Sequence, residues 1–186
     1  MGSVSIVFLR GIVAEVERRG LDPAPLFRRA RIDRARMEDI RDALQEDECA
    51  RLVDATVQLT GDDAIGLSVG ANAPQHALHL YGHLLLSQPT IRDAFMMAQR
   101  YASLVTNGPS FQLVEQGDLA TWGIVSFAPP SELRRVLLDY SVTLTVRVGR
   151  ALFPAGERLR AVKLQTEQPA YVERYRDFFS CPVQFE

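Results

Sequence analysis

Residues Phe111–Phe127 read FQLVEQGDLATWGIVSF, and here the chain changes character. Phe111 to Glu115 alternates apolar and polar side chains, the period of a half-buried strand. Gln116-Gly117-Asp118 is a turn. Leu119 to Phe127, with Trp122, Ile124 and Val125, is a second strand, so the stretch predicts a β-hairpin. Pro129-Pro130 ends it.

Upstream, the chain has helical periodicity. Val4 to Arg19 places Phe8, Leu9, Ile12, Val13 and Val16 on one stripe, with Glu15, Arg18 and Arg19 opposite. Asp22-Pro23 is a helix start, and the charged run from Arg28 to Arg41 predicts a solvated connection with a turn of helix. Asp47 to Leu59 and Ala64 to Val69 are helical, separated by Thr60-Gly61-Asp62-Asp63. Gln75 to Leu86 is another helix, broken by Ser87-Gln88-Pro89. Thr90 and Asp93 approximate a capping box for a helix carrying Ile91, Phe95 and Tyr101, which Asn107-Gly108-Pro109 ends. Downstream, Ser131 to Phe153 reads as a long helix, Leu159 to Gln165 as a strand, Tyr171 to Phe179 as a helix and Cys181 to Phe185 as a strand. The predicted fold is α+β: a mostly helical N-terminal two-thirds packed on a small antiparallel β-sheet formed by the C-terminal third. Residues 1–186 are read as one domain.

Composition narrows the function. With 47% hydrophobic residues over 186 positions, the chain carries enough apolar surface for a core and is not disordered. Its 21 basic and 23 acidic residues argue against a free-standing nucleic-acid binder. The two cysteines, Cys49 and Cys181, form neither a disulfide framework nor a zinc ribbon. No signal peptide and no stretch of about 20 apolar residues is found, so a cytoplasmic protein without membrane contact is expected.

Three constellations bear on chemistry. Gly66-Leu67-Ser68-Val69-Gly70 matches the GxSxG nucleophile elbow, but Gly61-Asp62-Asp63-Ala64-Ile65 is too short and polar for the buried strand that motif needs. All three histidines follow within 15 residues of Ser68, with no carboxylate between, so the triad order fails and no enzyme is predicted. His76, His79 and His83 cluster, and His79 and His83 at i, i+4 are a metal or haem alternative. The third constellation is aromatic. Tyr81, Phe95, Tyr101, Trp122 and Phe127 are candidates to line an effector pocket, with Arg100 placed to meet an acid group. No cofactor is called for.

Four stretches carry a resemblance: Gly20-Leu21-Asp22 through Ala30-Arg31-Ile32-Asp33; Leu59 to Leu67; Tyr81 to Phe95 followed by Arg100-Tyr101; and Tyr175 with Phe178 to Phe185. Together they resemble the N-terminal sensing domain, labelled arabinose-binding-like, of AraC/XylS-type transcription regulators. The resemblance implies a domain that senses a small organic effector and forms homodimers. It also implies DNA binding through a C-terminal domain with two helix-turn-helix units, which this sequence, ending at Phe185-Glu186, does not include. The family label does not imply that arabinose is the ligand.

Overall fold

The computed structural model describes residues 2–73, 79–104, 110–125, 131–152 and 159–186. The first helix, α1 (Ile6–Arg18), opens later than its apolar stripe suggests, because the Ser5 hydroxyl accepts the Val7 N–H and caps it. The residues before it, β1 (Ser3–Ser5), pair antiparallel with β2 (Ala43–Gln45), a ladder that local periodicity does not reveal. Between them lie α2 (Ala24–Ala30), whose Ala24 N–H is capped by Asp22, and a 3₁₀ turn over Arg34–Glu38. This turn fits the expected connection. Arg36 within it is no solvated bystander, since it bridges Asp42 at 2.7 Å and Glu48 at 2.5 Å.

Helix α3 (Glu46–Thr60) ends at Gly61, whose φ of 63° closes the turn into α4 (Ile65–Asn72). Helices α5 (His79–Leu86) and α6 (Ile91–Arg100) follow. The Thr90–Asp93 cap is formed as predicted, with Thr90 Oγ1 accepting the Asp93 N–H at 3.1 Å. A short 3₁₀ turn at Ala102–Leu104 follows α6; the stop expected at Asn107-Gly108-Pro109 lies outside the described residues. The hairpin is present as β3 (Ser110–Gln116) and β4 (Leu119–Val125), with Leu113 opposite Trp122.

Helix α7 (Glu132–Leu152) is the axis of the core. Its Val136, Tyr140 and Leu144 join the main apolar cluster with Ile6, Leu9, Ile12, Leu52 and Ile65. A second cluster, Leu67, Val162, Leu164, Tyr175 and Phe179, packs against its Leu138, Val142 and Val146. This second cluster holds the C-terminal unit, β5 (Val162–Leu164), α8 (Val172–Phe179) and β6 (Val183–Phe185).

The α+β class is as predicted, with helices dominating the N-terminal part. Among the described residues the strands form three separate two-stranded ladders. The first two are antiparallel, but β5 and β6 run parallel, because α8 crosses over between them and returns the chain in the same direction. Leu137, Leu144 and Val148 of α7 pack in or against the core.

Candidate functional site

Helix α6 lies along the hairpin and sets the aromatic residues together. Gln99 accepts the Leu113 N–H at 3.3 Å, and Arg92 bridges Glu115 at 2.8 Å. These contacts hold Phe95 over the inner face of the strands. Its ring stacks on the Trp122 indole with centroids 4.6 Å apart and planes 17° from parallel. Phe111, a diagonal neighbour across the ladder, stacks on the same indole at 5.6 Å. Trp122 packs against the main core, and its Nε1 is buried with no acceptor among the described residues. A buried N–H left without an acceptor costs about 1–3 kcal/mol.

The structure thus joins Phe95 and Trp122 and adds Phe111, which the sequence reading placed only in a strand. Tyr101 is half-buried against the core. Arg100 is exposed and lies 5.6 Å over the Tyr101 ring. Five residues beyond Phe95, it is turned about 140° around the helix from that side chain, so it does not join the stack. Phe127 and His76 lie outside the described residues, as do the side chains of His79 and Tyr81. His83 is exposed on α5, and among the described residues no group of three His, Cys, Asp or Glu side chains could hold a metal ion.

Gly66 and Gly70 have a packing role. A Cβ at Gly66 would press into the Val136 carbonyl, and one at Gly70 would lie 2.7 Å from the Tyr140 oxygen and from Thr143 Cβ. The GxSxG pattern is therefore the face on which α4 meets α7, backbone against backbone. Ser68 between them accepts from Arg174 at 2.6 Å and donates to Asp62 at 3.4 Å.

Asp62, in the Thr60–Asp63 signature, is the centre of a charge network. It caps Ala64 N–H at 3.0 Å and takes Arg19 at 2.6 Å and Arg174 at 2.5 Å. Arg19 passes the network on to Glu15, which also takes Arg18 and the Asn72 amide. Glu15 was expected on the polar face of α1, yet it is 1% exposed. Burial pushes the carboxyls of Glu15 and Asp62 up, but the guanidiniums outweigh it and hold both below their ordinary values. This network joins α1, the α3–α4 turn and α8.

Another buried carboxylate, Asp139 on α7, accepts the hydroxyls of Tyr175 on α8 and of Tyr171, the residue that precedes that helix. Burial pushes it up to about 6, against those two hydrogen bonds and the charge of Arg135.

The described residues thus form a helical framework with a small hairpin, and an aromatic stack lies between α6 and the strands. The chain belongs to the family described as the arabinose-binding domain at the N-terminus of AraC transcription regulators, which it matches over residues 20–186. That family is a ligand-sensing regulatory domain and not an enzyme class. No curated protein sequence matches the chain significantly. No helix among the described residues is long and apolar enough to cross a membrane.

Proposed function

We propose that this domain senses a small, planar organic effector at the Phe95–Trp122–Phe111 stack, and passes the signal to a DNA-binding module as part of a cytoplasmic, homodimeric regulator. The observation that carries the effector site is the Trp122 indole: both neighbouring rings stack on it, and its buried Nε1 has no acceptor among the described residues. An effector with an oxygen acceptor on a flat apolar body supplies what the indole lacks. Tyr81, Tyr101 and Phe127 are further candidates for the lining, with Arg100 at its margin. The arabinose in the family's label is not carried over to this chain.

Trp122 is the sole tryptophan, so its emission reports on the site directly. Titration with a panel of aromatic, fatty and sugar acids is expected to shift or quench that emission saturably for one class. Phe95→Ala is expected to weaken the same titration at least tenfold. Emission that no member of the panel changes, while the chain remains folded by circular dichroism, would sink the reading. Dimerisation is tested separately by light scattering with and without the active compound.

A further inference from the structure

A groove lies along one face of α1, and the aromatic stack contributes no residue to it. Arg10, Val13, Ala14 and Glu17 are spaced i, i+3, i+4, i+7 and form one face of that helix. This face, α2 and the 3₁₀ turn border an open groove of about 260 Å³. Val13, Phe27 and Met37 give it an apolar floor, and Phe27 and Met37 are almost fully buried there. The Arg10 guanidinium donates to the Met37 carbonyl at 2.6 Å and to the Glu38 carbonyl at 3.4 Å, which fixes the wall.

The rim carries both signs of charge. Arg34 faces Glu17 across the mouth at 3.7 Å, and Glu38 completes the acidic side. That ion pair is beyond hydrogen-bond reach, and its side chains are 60% and 49% exposed. Such a pair is worth little in water and does not seal the groove. A ligand with a carboxylate and an ammonium would exchange it for two charge-assisted hydrogen bonds. Its remaining body would cover the Phe27 and Met37 floor. The volume is just below the roughly 300–1,000 Å³ of common ligand pockets, which limits the occupant to a small molecule.

We infer that this groove binds a small zwitterion with an apolar side chain, an α-amino acid in chemical class, with its carboxylate on Arg34 and its ammonium on Glu17. The inference is independent of the effector site at Trp122.

The chain has four methionines, which makes methyl-labelled methionine NMR a two-site reporter. Met37 is in the groove floor, while Met96 and Met97 are on α6 beside Phe95. L-phenylalanine is expected to move the Met37 methyl saturably. 3-Phenylpropionate and 2-phenylethylamine, each with one charge, are expected to bind at least tenfold more weakly. Arg34→Gln and Glu17→Gln, both on exposed side chains, are each expected to weaken L-phenylalanine about tenfold. A Met37 methyl unmoved at about 10 mM ligand, a concentration that would reveal even millimolar affinity, overturns the proposal. So does equal binding of all three compounds, or movement confined to Met96 and Met97.

Discussion

The Asp139 carboxylate accepts the Tyr175 hydroxyl at 2.5 Å across the α7–α8 contact, in a place where Asp139 is only 2% exposed. With Tyr171 at 3.0 Å, two neutral hydroxyls are the hydrogen-bond partners of a buried acid. Burial raises it from the model-peptide 3.8 to about 6.

This fixes the sign of a pH effect. Between about pH 4 and pH 6 the folded chain keeps a proton that the unfolded chain has released. Stability from this group therefore falls as pH rises through that window and is level above it. The loss is about 3 kcal/mol for a shift of this size. Glu15 and Asp62, both held low, act with the opposite slope and only below their ordinary values. Urea unfolding at several pH values above 4.5 should show wild type losing stability relative to Asp139→Asn as pH rises. Parallel profiles for the two proteins would refute the assignment.

Placing methyl groups between α4 and α7 should be costly. Gly66→Ala and Gly70→Ala each force a Cβ into backbone of the facing helix. We expect each to cost about 1–3 kcal/mol, and the pair to approach loss of the folded state. Gly20→Ala is the control for space alone, because a Cβ there meets nothing within 4 Å; its φ of 75° still adds a backbone term. Thermal unfolding would separate them, and a Gly66→Ala protein as stable as wild type would contradict the close approach.

Asp62→Ala should destabilise more than Arg174→Ala. The aspartate side chain is 14% exposed and serves two arginines, while the Arg174 side chain is 43% exposed. Removing the acid leaves Arg19 with Glu15 alone and Arg174 without a carboxylate, and should cost about 1–3 kcal/mol. Removing Arg174 leaves Arg19 and Asp62 paired. Denaturant midpoints for the two variants give the comparison, and the reverse order would mean that the network is not centred on Asp62.

The two thiols should differ in reactivity. Cys49 is fully buried, and burial with the nearby acids Glu48 and Asp47 pushes it up to about 12. Cys181 is only partly covered. A thiol reagent should modify Cys181 in the native chain and reach Cys49 only after unfolding. Mass spectrometry of the labelled chain should give one adduct before denaturation and two after. Two rapid adducts under native conditions would show that α3 opens readily.

What could be read from sequence follows the range of the interactions. The Thr90–Asp93 cap and the Gly117 turn depend on neighbours within a few residues, and both were legible. The hairpin and the long α7 were legible from their periods. Glu15 was misplaced because its burial depends on Asn72, 57 residues away, and on Arg19 being shared with Asp62. The β1–β2 ladder joins segments 40 residues apart with only three residues each, too short for any pattern. The parallel β5–β6 pair required knowing that α8 crosses between them. Within the aromatic stack, Phe95 and Trp122 were singled out from residue type. Phe111 was placed only in a strand, because its closeness to Trp122 is diagonal across the ladder and follows only from register.

Mechanically, α4 and α7 form a single beam. At Gly66 and Gly70 α4 contributes no side chain, and it meets only backbone and the Cβ atoms of Asp139 and Thr143 on α7, so the contact holds no long side chain that could give. A push on α7 from the hairpin side must carry α4 with it. The load then reaches the Asp62 turn at the head of α4 and, through Tyr171 and Tyr175, the C-terminal crossover.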